Sequence, residues 1–275
     1  MAKKENIVST TTQLEKAIES LAIHGGDHFA ACFDNFLNLA LSYFCNHMNE
    51  RQMKLRKRVE ENVEFKNAYT ETLTIYGDLA EGYKDPLGDM FMSRISHGQH
   101  GQFFTPESVS LLMTEIVGVE DGAKVNDPAC GSGRNLLKAL EVARSEGKEI
   151  ELYANDLSLT CAKMTLLNFM INSVAGEVTC GDALKLDYEN FTFFKIDKIR
   201  NLATGAVLST YWEYTLSNVK EIEEYRRKWW WTIAEYGWTR YLPLRKKTDM
   251  EEEKTYVETL TTEVIVGENG QMSLF

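Results

Sequence analysis

Apolar residues in the first hundred positions recur at helical spacing. Residues 12–24 predict a short helix that stops at Gly25-Gly26. A longer helix is predicted from an N-cap at Asp27. Its apolar positions are Phe29, Phe33, Phe36, Leu37, Ala40 and Phe44. Residues 1–100 are therefore predicted to form a helical N-terminal domain.

The pattern changes at Thr105, which predicts an N-cap with Pro106 at the first helical position. The apolar face of this helix consists of Val109, Leu112, Met113 and Ile116. Strand-like and helical stretches then alternate, with strands at 123–126, 150–155 and 177–180 and helices at 133–145 and 158–173. This order predicts an α/β domain with a parallel, doubly wound sheet that binds ligands at the carboxyl ends of its strands.

Composition limits the classes of function. A chain of 275 residues with 44% apolar residues can bury the core of such a domain and of a smaller one. The net charge of −11 excludes a generally basic nucleic-acid coat, so contacts with DNA need local patches. Five cysteines without a CxxC pair, and no apolar run of 18 residues, favour a soluble, cytoplasmic protein without a membrane segment. His24, His28, Cys45 and His47 do not have zinc-ligand spacing, and we expect no metal site.

Two segments are candidate DNA contacts, and each has a second interpretation. The basic run RQMKLRKR at 51–58 is typical of a solvated helix end, or of a patch that contacts phosphates. Segment 225–247 mixes basic and aromatic residues, which suits stacking on unpaired bases. Its tryptophans at 229–231 are equally typical of a helix that caps a core.

A glycine-rich turn follows the first predicted strand. Asp127, Gly131 and Gly133 lie where that strand passes into its helix, so backbone can approach a ligand closely and the free N–H groups of the helix start are available. Asp156 ends the second strand, where an acid can accept hydrogen bonds from ribose hydroxyls. Asp182 ends the third and can meet an adenine amino group. The turn lacks the GK[ST] ending of a P-loop, which disfavours a triphosphate and indicates another nucleoside-bearing cofactor.

Four ordered motifs resemble one protein family. They are GQFFTPESVSLLM (101–113), DPACGSGR (127–134), ANDLSLTCAKMTLLNFMINS (154–173) and CGDAL (180–184), preceded by DPLGDMF (85–91). Together they are similar to the N6-adenine DNA methyltransferases, above all to the modification subunit of type I restriction systems. The resemblance implies a Rossmann-like methyltransferase domain over 101–266, S-adenosylmethionine as cofactor, DNA as substrate and a specificity subunit as a partner.

The resemblance also implies roles for individual residues. The segment that would close over the methionine and sulfonium end of the cofactor is Gln102, Phe103, Phe104, Thr105, Pro106 and Glu107. The turn that would hold the cofactor is Asp127, Ala129, Cys130, Gly131, Ser132 and Gly133. Asp156 would bind the ribose, and Asp182 the adenine.

The catalytic motif of the family is not present in its usual form. That motif is Asn, Asp or Ser followed by Pro-Pro and an aromatic residue, which together hold a flipped adenine and its amine. The chain has four prolines, and no two are adjacent. Residues 191–196 predict a fourth strand that ends before Asp197, which is the candidate catalytic residue or a plain loop acid. Two hypotheses follow: an adenine-N6 DNA methyltransferase with a divergent acceptor loop, or a non-catalytic module that uses the fold for recognition of DNA or protein.

The C-terminal residues resemble a short binding peptide. We expect 267–275 to form a flexible tail. It begins with the turn-forming GENG at 267–270, and the last five residues follow that turn. Gln271, Leu274 and Phe275 match the Q-x-x-L-F pattern of peptides that bind the bacterial sliding clamp. The leucine and phenylalanine would fill an apolar pocket while the glutamine amide hydrogen-bonds at its rim. The alternative is a frayed end, or one that packs on its own domain.

Overall fold

The computed structural model describes residues 10–25, 28–96, 103–185 and 187–240. Its N-terminal helices are α1 (Thr10–Gly25), α2 (Phe29–Leu41), α3 (Glu50–Glu61), α4 (Val63–Ala80) and α5 (Pro86–Phe91), which a π-helical turn (Met92–Ser96) continues. The next elements are α6 (Glu107–Val117), β1 (Lys124–Asp127), α7 (Arg134–Ser145), β2 (Glu151–Asp156), α8 (Leu159–Ile171) and β3 (Ala175–Cys180). A 3-10 turn (Tyr188–Asn190), β4 (Thr192–Asn201), β5 (Val207–Tyr214), α9 (Val219–Glu235) and β6 (Trp238–Arg240) follow. The predicted alternation of strands and helices in an α/β, Rossmann-like fold is confirmed.

The second predicted helix is two helices. The Asn49 side chain accepts a hydrogen bond from the Gln52 backbone (3.0 Å), and the Gln52 side chain accepts one from the Asn49 backbone (3.1 Å). This capping box starts α3. Helix α2 ends earlier, at Leu41, so Phe44 of the predicted apolar face lies beyond it. The predicted cap at Asp27 is also wrong, because the His28 ring accepts a hydrogen bond from the Ala31 backbone (3.1 Å) and caps α2. Among the described helices, none has the length and apolar composition needed to cross a bilayer.

The N-terminal helices share a hydrophobic core with the α/β elements. Helix α2 packs against α8, and the Phe33 and Phe36 side chains are fully buried. The Tyr76 hydroxyl of α4 donates a hydrogen bond of 2.8 Å to the Asn168 side chain of α8. The predicted domain boundaries at residues 100 and 266 stay a prediction. The predicted tail at 267–275, with Gln271, Leu274 and Phe275, lies outside the described residues.

Strands β1, β2 and β3 form the parallel part of the sheet. Asp127 pairs with Ala154, and Asp156 pairs with Cys180. The carboxyl ends of the three strands therefore lie side by side, as predicted. Strand order follows chain order, and crossovers between parallel strands are right-handed. Under that general rule, α7 and α8 pack on the same face of the three parallel strands.

The rest of the sheet is antiparallel. Strand β4 pairs antiparallel with β3, and β5 and β6 pair antiparallel with β4. The order within the described residues is β1-β2-β3-β4-β5, with β6 beside β4. The predicted parallel sheet therefore holds for β1, β2 and β3 and not for the strands after them. Strand β5 follows β4 after a short connection at 202–206, which suits antiparallel pairing, whereas parallel pairing needs a long crossover.

Strand β4 continues past the residue where the sequence predicts its end. Asp197 lies inside the strand and pairs with Thr210 of β5. Its carboxylate is buried, accepts hydrogen bonds from Trp212 Nε1 (3.1 Å) and Arg226 Nε (2.8 Å), and forms an ion pair with that arginine. The expected strand end before Asp197 is wrong because β5 pairs along the whole of this segment.

Helix α6 begins one residue later than predicted and presents its apolar side outward. Pro106 occupies the cap position, so the predicted cap at Thr105 is wrong by one residue. Ser110 is buried, and its hydroxyl donates a hydrogen bond to the Asn135 side chain of α7 (2.7 Å). The predicted apolar residues Val109, Leu112, Met113 and Ile116 are exposed. Polar contacts therefore hold α6 on α7.

The ion pair between Asp197 and Arg226 predicts unequal effects of two substitutions. Arg226→Ala leaves a carboxylate that is 1% exposed without its cation, and we expect the free energy of unfolding to fall by about 3–5 kcal/mol. Asp197→Ala should cost less, because the Arg226 side chain is 27% exposed and can reach water. Urea unfolding of both variants, with Glu189→Ala at an exposed position as control, measures this. A smaller loss for Arg226→Ala than for Asp197→Ala would contradict the account.

Candidate functional site

The turn between β1 and α7 requires glycine at two positions. Gly131 and Gly133 have positive φ angles of 57° and 83°, which side-chain-bearing residues rarely adopt. A Cβ atom on Gly131 would lie 2.7 Å from the Phe104 ring, and one on Gly133 would lie 2.8 Å from the Thr165 side chain. The turn is therefore packed closely from both sides, and it leads into the start of α7, which has no side-chain cap.

Asp156 holds this turn against the end of β2. Its carboxylate accepts hydrogen bonds from the Gly131 backbone (2.9 Å) and the Ser158 backbone (2.8 Å). The Cys130 N–H donates to the Asn155 carbonyl (2.9 Å) beside it. Burial raises the pKa of the Asp156 carboxyl, and the two backbone donors work in the opposite direction. The structure thus brings the predicted turn and the predicted ribose-binding acid together.

A fully buried carboxylate, that of Asp85, lies behind the turn. It accepts hydrogen bonds from Gly88 N (3.0 Å), Asn168 Nδ2 (3.1 Å) and Arg134 Nε (3.0 Å), and from the Ser132 hydroxyl. Four donors from α5, α8, α7 and the turn therefore converge on one side chain. Sequence analysis used the DPLGDMF segment only as a resemblance and did not identify Asp85; an acid directly before a Pro-capped helix was the available signal.

Arg134 connects the same cluster to the segment before α6. Its guanidinium pairs with Asp85 and with Asp89 (2.5 Å) and donates to the Thr105 carbonyl (3.2 Å). Burial raises the pKa of the Asp85 carboxyl, and the Arg134 charge and the Ser132 hydroxyl oppose that rise. The hydrogen bonds to the Asp85 carboxylate stabilise its charge in the absence of solvent. Because the donors belong to different segments, these contacts also fix the turn and α5 relative to each other, and Arg134 links both to Thr105.

The segment 103–107 lies over the turn. The Phe104 ring stacks on Phe91, with centroids 5.8 Å apart and planes at 7°, and it covers Gly131. The Glu107 side chain accepts a hydrogen bond from the Asp85 backbone (3.2 Å). Phe103 is exposed and Pro106 precedes α6, whereas Gln102 lies outside the described residues. The described part of the predicted segment is thus brought to the turn.

The remaining turn residues are held by short local contacts. Asp127 accepts hydrogen bonds from the Ala129 backbone (3.1 Å) and from Asn135 (3.2 Å). Burial raises the pKa of the Cys130 thiol, which lies 3.4 Å from the Thr165 hydroxyl. The thiol is therefore neutral at physiological pH, and the Cys130 side chain packs in the core beside Thr165.

Asp182 lies in the loop after β3 and makes a local turn. Its carboxylate accepts hydrogen bonds from the Leu184 N–H (3.0 Å) and the Lys185 N–H (3.3 Å). The Lys185 side-chain hydrogen bond lowers the pKa of the Asp182 carboxyl. Leu157 and Leu184, which follow the two acids, are 72% and 96% exposed. These leucines were not among the predicted site residues. The sequence does contain a signal for them, because each follows a strand-end acid closely, where an apolar side chain can contact a flat ligand ring.

The structure does not bring Asp197 to this site. Thr192 pairs with Cys180 at the carboxyl end of β3, and Asp197 lies further along the antiparallel strand. At about 3.3 Å per residue it is roughly 17 Å from that level, towards the amino ends of β1–β3. The catalytic role of Asp197 stays a prediction. Its buried contacts with Arg226 and Trp212 give this acid a structural role.

Both candidate DNA patches are engaged in intramolecular contacts. In α3, Arg51 pairs with Asp34 (2.6 Å), and Lys54 and Lys57 pair with acids one helical turn away. This favours the interpretation of 51–58 as a solvated helix end. In α9, the Trp229 ring packs edge-on against Trp212, with centroids 5.7 Å apart. For the described part of 225–247, packing is therefore the better supported interpretation.

Comparisons with known proteins show which family this chain is similar to. The family model described as N-6 DNA Methylase matches residues 83–232, more than half of the chain. The methylase subunit of the type I restriction enzyme MjaIX of Methanocaldococcus jannaschii is 32% identical over 97 residues, which cover 34% of this chain and 17% of that protein. The MjaVII methylase subunit of the same organism is 30% identical over 126 residues, which cover 42% of this chain and 22% of that protein.

These relatives are much longer than the matched segments, which span about a fifth of their length. Among solved structures, the methyltransferase subunit of a type I restriction-modification system from Streptococcus thermophilus is similar, with a TM-score of 0.34 and 19% identity. That similarity covers 64% of this chain and 40% of the other. At this level of similarity the site has to be argued from the chain's own residues.

The Asp85 cluster predicts a large difference between two acids that contact the same arginine. Asp85→Asn removes the charge from a fully buried position beside a guanidinium that is 9% exposed, and we expect a loss of about 3–5 kcal/mol in the free energy of unfolding. Asp89→Asn, whose side chain is 47% exposed, should cost less than about 1 kcal/mol. Urea unfolding monitored by tryptophan fluorescence compares them. Equal losses would show that Asp85 does not have the central role described.

Proposed function

Because the chain belongs to the N-6 DNA methylase family, we propose that it binds S-adenosylmethionine at the turn between β1 and α7 and that adenine N6 in DNA is the methyl acceptor. The observation that carries the proposal is the hydrogen bond from Gly131 N to the Asp156 carboxylate, which places a glycine turn and a strand-end acid side by side. That pairing is how Rossmann-like folds present backbone and ribose-binding acid to one nucleoside cofactor.

The residues at the turn fit the parts of the cofactor. The N–H groups of Gly131 and Gly133 are used within the turn, by the Asp156 carboxylate and the Cys130 carbonyl. The start of α7, which no side chain caps, offers its N–H groups to the methionine carboxylate. Asp156 accepts hydrogen bonds from two backbone N–H groups and from the Cys161 thiol. A carboxylate has about four acceptor sites, which leaves capacity for a ribose hydroxyl. Leu157 and Leu184 offer apolar surface to the adenine ring, and Asp182 an acceptor for its amine. The Phe103–Glu107 segment covers the turn. The bound cofactor would supply an electrophilic methyl group.

DNA as substrate and a specificity subunit as partner belong to the same proposal. The curated relatives are named as methylase subunits of type I restriction enzymes, which act as assemblies of subunits. The net charge of −11 gives the isolated chain little electrostatic attraction to DNA. A partner that binds DNA would supply it. Binding of a sliding clamp through Gln271, Leu274 and Phe275 stays a prediction.

A second candidate function is cofactor-dependent recognition without turnover. The observation that favours it is the position of Asp197, whose carboxylate is engaged by Arg226 and Trp212 away from the turn. The chain also lacks the Pro-Pro pair of the family's catalytic motif, because none of its four prolines is adjacent to another. The described residues therefore show no amine-binding motif of the usual kind. The two candidates share cofactor binding and differ only in methyl transfer.

Substitution of Asp156 should weaken cofactor binding. Asp156→Ala removes a charged acceptor of ribose hydrogen bonds, worth roughly 1.5–3 kcal/mol, or about 10- to 150-fold in Kd. Calorimetric titration with S-adenosylmethionine measures this, with Asp187→Ala at a nearby exposed position as control. Unchanged affinity of Asp156→Ala would remove the ribose assignment, and no binding by the unsubstituted protein would sink the cofactor proposal.

Methyl transfer decides between the two candidates. Radiolabelled cofactor and unmethylated DNA from the host should yield label in N6-methyladenine after digestion to nucleosides. Catalytic Asp197 predicts loss of this label in a folded Asp197→Asn protein, whereas a structural role predicts that label is retained. Cofactor binding by calorimetry without any label in DNA would support the recognition module.

A further inference from the structure

Helix α6 exposes a continuous apolar stripe. Its residues follow the spacing i, i+3, i+4, i+7 and i+8, which places them on one side of a helix. Their exposed fractions are 43% for Val109, 55% for Leu112, 51% for Met113, 75% for Ile116 and 83% for Val117. Isolated apolar side chains are common on protein surfaces, but a contiguous group of this size marks an interaction site.

The opposite side of α6 fixes this orientation. Ser110 is buried and donates to Asn135, while Glu107 pairs with Lys138 of α7 (3.6 Å) and accepts from the Asp85 backbone. Rotating the stripe inward would break these contacts and bury apolar residues against polar ones. The stripe is therefore directed away from α7 by the fold itself.

Six residues join the end of α6 to β1, the strand at the open edge of the sheet. Helix α7 packs against β1, α8 packs against β2 and β3, and α6 packs against α7. Strand β1 is the last strand at this end of the sheet formed by the described residues, and its Lys124 and Asn126 are exposed. A strand edge with free N–H and C=O groups is itself a template for pairing with another chain. We call the stripe and this edge together the α6–β1 surface.

Charge indicates which kind of molecule the surface fits. Three exposed acids lie on α6 or shortly after it, Glu115, Glu120 and Asp121, against one exposed cation on β1, Lys124, in a chain of net charge −11. A second copy would bring like charges together around an apolar contact, which disfavours self-association. We propose that the α6–β1 surface docks an apolar segment of a different protein, bordered by Lys and Arg residues.

The location gives such a partner access to the turn. The turn follows the carboxyl end of β1. A polypeptide docked on the α6–β1 surface would lie on the side of β1 that no described strand occupies, next to Asp127. Docking does not depend on the identity of the cofactor.

A model peptide tests this chemistry on the full chain. The probe is a fluorescein-labelled amphipathic helix of about 18 residues with leucine on one face and lysine on the other, and a matched peptide has glutamate for each lysine. Fluorescence anisotropy gives the affinities for the unsubstituted protein, for Leu112→Gln/Ile116→Gln, and for Val63→Gln. Val63 is an isolated residue of α4 that is 69% exposed. None of these substitutions changes the charge, so any difference reports the apolar stripe.

The expected result is binding of the lysine peptide to the unsubstituted protein and to Val63→Gln, and binding at least about tenfold weaker to Leu112→Gln/Ile116→Gln. The glutamate peptide should also bind about tenfold or more weakly, and salt should reduce the difference. No binding of the lysine peptide, equal binding to both variants, or equal binding of both peptides would overturn the proposal. Sedimentation showing a dimer that Leu112→Gln/Ile116→Gln dissociates would assign the surface to a second copy instead.

Discussion

The buried carboxylate of Asp85 is the contact on which the arrangement around the turn depends. A charge without solvent is stable only when donors surround it, and here they come from four separate parts of the chain. Because Ser132 and Arg134 belong to the turn and to α7, the electrostatic requirement of one acid fixes the position of both. The N-terminal helices thereby become part of the site, since α5 begins at this residue and α4 reaches Asn168 through Tyr76.

The residues proposed to bind the cofactor are held together, whereas the residue predicted to bind the methyl acceptor lies elsewhere. Turn, acid and covering segment are fixed by hydrogen bonds and by the ring stack of Phe104 on Phe91. The acid that the sequence suggests for the reaction lies instead in an antiparallel strand, neutralised by Arg226. These facts support cofactor binding by the chain's own residues, and the open α6–β1 surface supports a second protein close to the same turn.

Local signals in the sequence predict the parallel part of the fold well. Glycines that need a left-handed backbone, acids at strand ends and apolar periodicity each depend on neighbours in the chain, and the three parallel strands and two helices around Gly131 are confirmed. Pairing between distant segments does not leave such a signal. The direction of β4, the extension of that strand through Asp197 and the outward side of α6 all depend on partners far away in sequence. The capping box at Asn49 was a readable local signal for a separate helix, and the apolar spacing that runs to Phe44 does not show that α2 ends at Leu41.

The most direct test of the central claim is hydrogen–deuterium exchange of the full chain with and without S-adenosylmethionine. The account predicts that the cofactor slows exchange at the backbone amides of residues 129–136 and around Asp156, because those N–H groups and the carboxylate that orders them contact it. Residues 219–235 of α9, which pack on the antiparallel part of the sheet, should exchange at the same rate in both states. Protection confined to α9, or none anywhere, would contradict the assignment of the turn as the cofactor site.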